Sequence, residues 1–262
     1  MSTKVAVLFS GGTDSCAAAY LACEEFNEIY LLTFFEKSTE KSPLPIGNFK
    51  KLQALFPNKK ITHHSINTDL VVKKLSYHNF IKNIWHFHFY NLATPGISSL
   101  SWHFHTIQFC IDHKIQHVYD GMTAELQHLP GHMPAVRELF KAMYQKKNIY
   151  FSGPVYNWPV PQNRQFVEQV IINKHNSISD DNQKELTTGL FLYEKKFFTE
   201  KNIKGTQLDF EMQHDCYPFI IYNLFCFWLV SPFLSWPEFE MKIVNFIENK
   251  IAALENIKIE DV

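Results

Sequence analysis

The sequence predicts a doubly wound α/β sandwich of about five parallel strands with a helical C-terminal portion. Three observations predict it. Short, nearly continuous apolar runs recur at Lys4–Phe9 and Glu28–Phe35, the pattern of strands buried on both faces. Segments with helical spacing separate these and later strand candidates, and such alternation builds a parallel sheet with right-handed crossovers. Glycine-bearing turns follow the first and fourth strand candidates, after Phe9 and after Asp120, at the strand ends where ligands bind on such sheets.

The elements follow in order. After Lys4–Phe9 comes the Gly-rich turn Ser10–Ser15, then an Ala-rich helix over Cys16–Phe26. Glu28–Phe35 is the second strand, and Lys37–Pro45, polar with two prolines, is a loop. Ile46–Phe56 reads as a helix ended by Pro57 and Asn58, and Lys60–Ile66 as the third strand. Asp69–Leu75 and Ile97–His113 read as helices, with the aromatic segment Phe80–Leu92 between them fitting neither period. His117–Asp120 is the fourth strand, Leu129–Pro134 a loop, Ala135–Gln145 a helix and Asn148–Phe151 the fifth strand. From Pro154 to about Gly189 the chain turns polar, and Leu190–Lys201 and Phe239–Ala253 read as helices. We expect an α/β domain over residues 1–153, then an insertion plus helical region over 154–262.

Composition narrows the function classes. The chain has 262 residues, of which 46% are hydrophobic and 19% charged, enough apolar matter for one large core. The formal net charge is -1 and the only arginines are Arg137 and Arg164, so there is no basic field to draw in nucleic acid. A phosphate site here must rely on backbone amides, hydroxyls and lysines rather than guanidinium clamps. The five cysteines show no C-x-x-C pair, and the N-terminus enters a strand-like run directly. Both features lead us to expect a cytoplasmic protein with free thiols. Between Asp215 and Glu238 no residue is charged. The prolines and Asn223 in that stretch favour a buried helix or a subunit interface, compatible with a homodimer, over a membrane span.

The turn Ser10-Gly11-Gly12-Thr13-Asp14-Ser15 carries the chemistry. A buried strand ends, two glycines allow a tight turn, and a helix begins. Successive N–H groups of such a turn converge on one concavity, and the helix dipole adds positive charge there. Ser10, Thr13 and Ser15 add hydroxyls, while Asp14 can cap the helix or help hold Mg²⁺. Neither the Walker A pattern nor a G-x-G-x-x-G is present.

This hexapeptide after the first strand resembles the signature of the PP-loop ATP pyrophosphatases, and within them the chain is most similar to 7-cyano-7-deazaguanine synthase. Thr33-Phe34 resembles the Thr-Phe that ends the second strand near the adenine. Pro95-Gly96, Gly121-Met122-Thr123-Ala124-Glu125 and Leu129–Pro134 resemble further family segments, and Cys216-Tyr217 resembles its Cys-Tyr. The resemblance implies ATP and Mg²⁺ as cofactors and a small-molecule substrate whose carboxylate or carbonyl is adenylated, then attacked by ammonia or sulfur. It implies cofactor-binding roles for Ser10–Ser15, Thr33, Phe34 and Gly121, and catalytic roles for Asp14, Glu125 and Lys196. The chain departs from the family where Arg-Asn is replaced by Ile97 and Ser98, where Gly131 and Met133 replace an Asp and an Arg, and where a four-cysteine zinc site is reduced to Cys216 and Cys226. Zinc held by two thiolates alone is unusual, which leaves Cys216 as the remaining metal candidate. These departures keep open a non-catalytic nucleotide-binding protein and a PP-loop tRNA-modifying enzyme.

Other clusters read more simply. His86, His88, His103 and His105 lie in two Trp-His-Phe-His repeats, but residues two apart leave a helix on different faces, so core packing outweighs a metal site. His128 and His132 flank Pro130 and Gly131, which break any helix between them, so they line the pocket mouth or are exposed, and Cys16 reads as a small core residue.

Overall fold

A computed structural model describes residues 3–37, 44–77, 80–87, 90, 94–159, 187–200, 217–230 and 232–255, and for a few of these only the backbone. The strands are β1 (Lys4–Leu8), β2 (Glu28–Phe35), β3 (Lys60–Asn67), β4 (His117–Asp120) and β5 (Tyr150–Ser152). They form one sheet in the order β3-β2-β1-β4-β5, and every pairing is parallel. The helices are α1 (Thr13–Glu25), α2 (Leu44–Leu55), α3 (Asp69–Val72), α4 (Phe80–Phe87), α5 (Thr94–His113), α6 (Pro134–Gln145), α7 (Thr188–Glu194), α8 (Tyr217–Phe225) and α9 (Trp236–Glu255).

The strand order explains where a ligand can go. The chain lays β1, β2 and β3 outward in one direction, then returns to place β4 on the other side of β1. The loops leaving β1 and β4 therefore diverge to opposite faces, which opens a crevice at the C-terminal ends of the two strands. The register sets Leu8 beside Asp120, so the turn that starts at Phe9 and the turn that starts at Gly121 begin side by side.

Both sheet faces are covered, which accounts for strands that are apolar throughout. Ala6, Leu8, Tyr30, Leu32 and Val118 face a core built with α5, α6, α8 and α9 through Leu100, Phe140, Tyr222 and Phe246. Val5, Val7, Ile29, Leu31 and Tyr119 face the other core, built with α1, α2 and α7 through Ala18, Leu52 and Phe191. Successive residues of one strand thus enter different cores, as the two-residue period requires. The Ala-rich stretch of α1 lets it sit close to the sheet, and Ala17, Ala18, Ala19 and Ala22 are fully buried.

The structure adjusts several expected boundaries. The first helix begins at Thr13, inside the expected turn, because the glycines need only Gly11 and Gly12. Phe80–Phe87 is helical, and Ile81, Ile84 and Trp85, at helical spacing along it, are exposed. The helix expected over Leu190–Lys201 is α7, ending at Glu194, where Lys196 takes a left-handed φ of 59°. The uncharged stretch becomes α8 and a π-helical turn over Cys226–Val230. Tyr222, Phe225, Cys226 and Val230 enter the core, whereas Ile221, Leu224 and Trp228 are exposed. No helix among the described residues is long and apolar enough to cross a membrane. Most of the polar segment after Pro154 lies outside the described residues.

Of the histidines expected to be core, His103 is buried and His105 half-buried. His103 is fully buried, its Nδ1 2.9 Å from the Tyr144 hydroxyl and its ring packed against Phe140. His105 Nδ1 lies 2.8 Å from the Ser101 carbonyl, one turn back on the same helix. The side chains of His86 and His88 lie outside the described residues. No group of three or more potential ligands that could hold a metal ion occurs among the described residues.

Burial holds His128 and His132 at about 4 and His103 well below the ordinary 6.5. Each is neutral in the fold and takes up a proton near pH 6.5 once unfolded. Their contribution to stability is therefore complete above about pH 6.5 and is lost as the pH falls toward 4. The thermal midpoint should stay level between pH 7 and 8 and drop steeply between pH 6.5 and 4, and His128→Gln should flatten part of that drop.

Candidate functional site

The Gly-rich turn is built from its backbone outward. Phe9 continues β1 by donating its N–H to the Leu32 carbonyl at 2.8 Å. Gly11 then adopts φ 81°, a conformation that costs an L residue with a Cβ and that glycine takes freely. Its carbonyl points into the protein, where Asn48 Nδ2 donates to it at 2.7 Å and the Cys16 thiol at 3.3 Å. In a planar trans peptide the C=O and the next N–H point in opposite directions. Anchoring the Gly11 carbonyl inward therefore turns the Gly12 N–H outward.

The three residues Ser10, Gly12 and Ser15 close a ring of hydrogen bonds. Ser15 Oγ donates to the Gly12 carbonyl at 2.9 Å. That commits its proton, so at 3.1 Å the Ser10 hydroxyl is the donor to Ser15 Oγ. Ser10 Oγ in turn accepts from the Gly12 N–H at 3.3 Å. Both serines of the motif are thus structural as well as polar: they clamp the turn onto the first turn of α1. Gly12 is the N-cap of that helix and contributes no side-chain cap. The helix end therefore keeps the dipole and amide geometry that favours an anion. A Cβ added at Gly12 would meet only Ser10 Oγ, at 3.5 Å, so glycine there is not demanded by packing.

The neighbouring strand ends support the turn. Thr33 Oγ1 donates to the Phe9 carbonyl at 2.5 Å, so His63 Nε2, 2.8 Å from the same oxygen, is the donor to it. Phe34 stacks on Trp102 of α5 with ring centroids 6.2 Å apart and planes 16° from parallel. Thr33 therefore reaches the loop, and Phe34 faces the opposite core beside it. At the end of β4, a Cβ on Gly121 would lie 2.5 Å from Ser15 N and Cα and 2.7 Å from the Asp14 carbonyl carbon. Only glycine lets the β4 turn approach the first turn of α1 this closely.

A buried ion pair fixes that β4 end. Arg137 of α6 grips Asp120 with both nitrogens, at 2.7 and 3.1 Å, and the two side chains are 10% and 1% exposed. Its guanidinium lies between the rings of Phe151, 5.3 Å away, and Tyr156, 4.5 Å away. One of the two arginines is thus spent inside the fold. The segment beyond Gly121 is tied down by His132 Nδ1, 2.9 Å from the Thr123 carbonyl, and by the Tyr156 hydroxyl donating to the His132 carbonyl at 2.7 Å.

The structure brings Ser10–Ser15, Thr33 and Gly121 together and leaves other expected residues apart. Lys196 is exposed at the end of α7. Its neighbour Lys195 pairs with Glu24 at 2.7 Å, and Glu24 lies about 15 Å along α1 from Asp14 at 1.5 Å per residue. Lys196 therefore stands at the far end of α1 from the turn. Glu125 belongs to a 3₁₀ turn over Ala124–Leu126, and its side chain lies outside the described residues, as does Cys216. Ile97 is fully buried, and Ser98 donates to Glu36 at 3.1 Å. Burial pushes the Cys16 thiol far up, in keeping with a core residue rather than a nucleophile.

Two residues of the site escape sequence reasoning. Asn48 has a signal: it lies on the buried stripe of α2 with Pro45 and Leu52, a polar residue at a core position. Thr188, whose hydroxyl donates to Asp14 Oδ1 at 2.6 Å, has none, because it lies beyond the polar segment that ends the α/β core.

The five-stranded parallel sheet carries the S-G-G-x-D-S turn at its switch point. Residues 4–84 match the family model described as "Queuosine biosynthesis protein QueC", so that stretch is QueC-type sequence. The match ends before β4. A solved structure described as the predicted subunit of a tRNA methyltransferase from Methanocaldococcus jannaschii is also similar. It shares 17% identity and a TM-score of 0.37, over 77% of this chain and 94% of that one, a likeness too loose to carry an argument. Among curated proteins none matches the chain.

Two glycines of the site should behave differently when substituted. Gly121→Ala drives a methyl into backbone and should cost about 1–3 kcal/mol of stability, read as a lower denaturant midpoint. Gly12→Ala meets no backbone and should lower the midpoint less, by the few tenths to about 1 kcal/mol that alanine costs at an N-cap.

Proposed function

We propose that the chain binds ATP with its phosphates in the Ser10–Ser15 turn and is an AMP- and pyrophosphate-forming enzyme. One observation carries the reading. The Gly11 carbonyl is held inside by Asn48 and Cys16, so the Gly12 amide, which meets the Ser10 hydroxyl at 3.3 Å, faces outward over a helix start that carries no side-chain cap. The QueC-type match over residues 4–84 supports the same assignment. The residues present fit the nucleotide: the backbone amides at the start of α1 can do what a guanidinium clamp does elsewhere. Mg²⁺ binds through one or two carboxylates plus phosphate oxygens rather than an all-protein cage. Asp14 in the first turn of α1 can supply such a carboxylate.

Chemically, the substrate's carboxylate or carbonyl oxygen is adenylated at the α-phosphorus and pyrophosphate leaves. The carbon that bears the adenylated oxygen is then attacked by ammonia or sulfur, its bond to that oxygen breaks, and AMP leaves. The turn contributes preorganised dipoles where charge builds on the leaving group, the usual means of lowering a phosphoryl-transfer barrier. Thr33 and Phe34 belong to the adenine side of the crevice in this reading, and Gly121 to its floor. The replacement of the family's Arg-Asn by Ile97 and Ser98 favours an acceptor other than the family's own. A non-catalytic nucleotide-binding role is the second reading, and the same replacement motivates it.

Calorimetric titration of ATP·Mg²⁺ should show binding to the wild type and none to Asp14→Ala. A silent wild type would remove the reading. With 7-carboxy-7-deazaguanine and ammonium as the first acceptor pair, followed by other carboxylates, AMP and pyrophosphate should appear in equal amounts. ATP binding without AMP from any acceptor would leave the non-catalytic reading standing.

A further inference from the structure

We propose that Thr188 is a positioning residue of the phosphate turn, acting through Asp14; this rests on the ATP reading of that turn. Thr188 sits at the start of α7, more than 170 positions along the chain from the motif it touches. Its hydroxyl donates to Asp14 Oδ1 at 2.6 Å, and the side chain is 2% exposed.

The contact is not a by-product of helix capping. Thr187 is the N-cap of α7 and its side chain accepts from the Leu190 N–H at 3.2 Å, so the cap is already supplied. Thr188 spends its hydroxyl across the interface instead. The interface itself is well made. Phe191 meets Tyr20 edge to face at 5.4 Å, and Lys195 pairs with Glu24 while lying 5.4 Å from the Tyr20 ring and 5.5 Å from that of Phe191. Beyond the helix, Phe197 and Phe198 lie 5.7 and 5.1 Å from Lys51 Nζ of α2, the same helix whose Asn48 holds Gly11. The segment Thr187–Phe198 therefore runs along α1 in parallel, anchored at the turn by Thr188 and at the far end by Lys195.

A carboxylate in the first turn of a helix is attracted by the same amides and dipole that attract a phosphate. Asp14 can serve Mg²⁺ only if its carboxylate is kept from turning onto those amides. A hydroxyl bonded to Oδ1 commits one carboxylate oxygen to α7 and fixes the orientation of the group. Hydrogen bonds to charged groups are the stronger ones. Loss of this one should let the carboxylate turn toward the amides and weaken phosphate binding roughly tenfold.

The test compares wild type, Thr188→Val and Thr188→Ser, titrated with ATP·Mg²⁺ and separately with magnesium pyrophosphate, with thermal midpoints recorded for each. Valine keeps the shape and removes the hydroxyl; serine keeps the hydroxyl. Both ligands should bind Thr188→Val roughly tenfold more weakly and Thr188→Ser about as tightly as wild type. Equal binding by Thr188→Val, or binding by Thr188→Ser as weak as by Thr188→Val, would overturn the inference while leaving the ATP reading intact. A wild type that binds neither ligand would overturn the ATP reading and this inference with it. Should the valine variant fail to fold, Thr188→Ala takes its place against Thr188→Ser under the same criteria.

Discussion

The inward turn of the Gly11 carbonyl is the constraint from which the rest of the candidate site follows. A backbone oxygen at the end of a buried strand needs a partner, and here Asn48 and the Cys16 thiol supply two. That requirement sets the φ of Gly11 in the left-handed region, and planarity of the next peptide then decides which way Gly12 N–H faces. The hydrogen-bonded ring of Ser10, Gly12 and Ser15 secures the arrangement. The turn is consequently rigid before any ligand arrives, which is what electrostatic stabilisation of a leaving group requires.

The opposite wall of the crevice depends on a second constraint at the end of β4. Gly121 approaches the first turn of α1 at a distance that excludes a side chain. The Asp120–Arg137 pair just before it keeps the strand end from drifting away. Removing one partner of such a pair leaves an uncompensated buried charge and typically costs about 3–5 kcal/mol. The pair therefore couples α6 to the geometry of the phosphate turn without touching it. Gly153 belongs to the same packing, since a Cβ there would run into Arg137 and Asp120.

The electrostatic economy of the chain is consistent with these two walls. A protein with two arginines among its 25 basic residues has few guanidiniums to offer an anion. Arg137 is committed to Asp120, and Lys195 to Glu24. The amides at the start of α1 therefore stand beside one carboxylate, Asp14, whose position matters for the turn. That is the physical reason why a helix from outside the α/β core, α7, bears on the site.

Much of this was legible in the sequence. The apolar runs determined the strands because burial on both faces leaves no place for polar side chains, and the Ala-rich run after the turn determined a close-packed helix. The S-G-G-x-D-S pattern determined a turn that could hold an anion, because glycine permits the backbone and serine supplies the clamp. Asn48 was legible in principle as a polar residue on an apolar stripe. The tertiary structure alone decided which residues hold Asp14 and Asp120. Thr188 and Arg137 reach their partners across 174 and 17 positions, and no local period records such contacts. It also decided that Lys196 stands at the far end of α1, since a parallel docking of α7 on α1 puts its first residue, not its last, at the turn. Local pattern specifies what a segment becomes; only packing specifies which segment it meets.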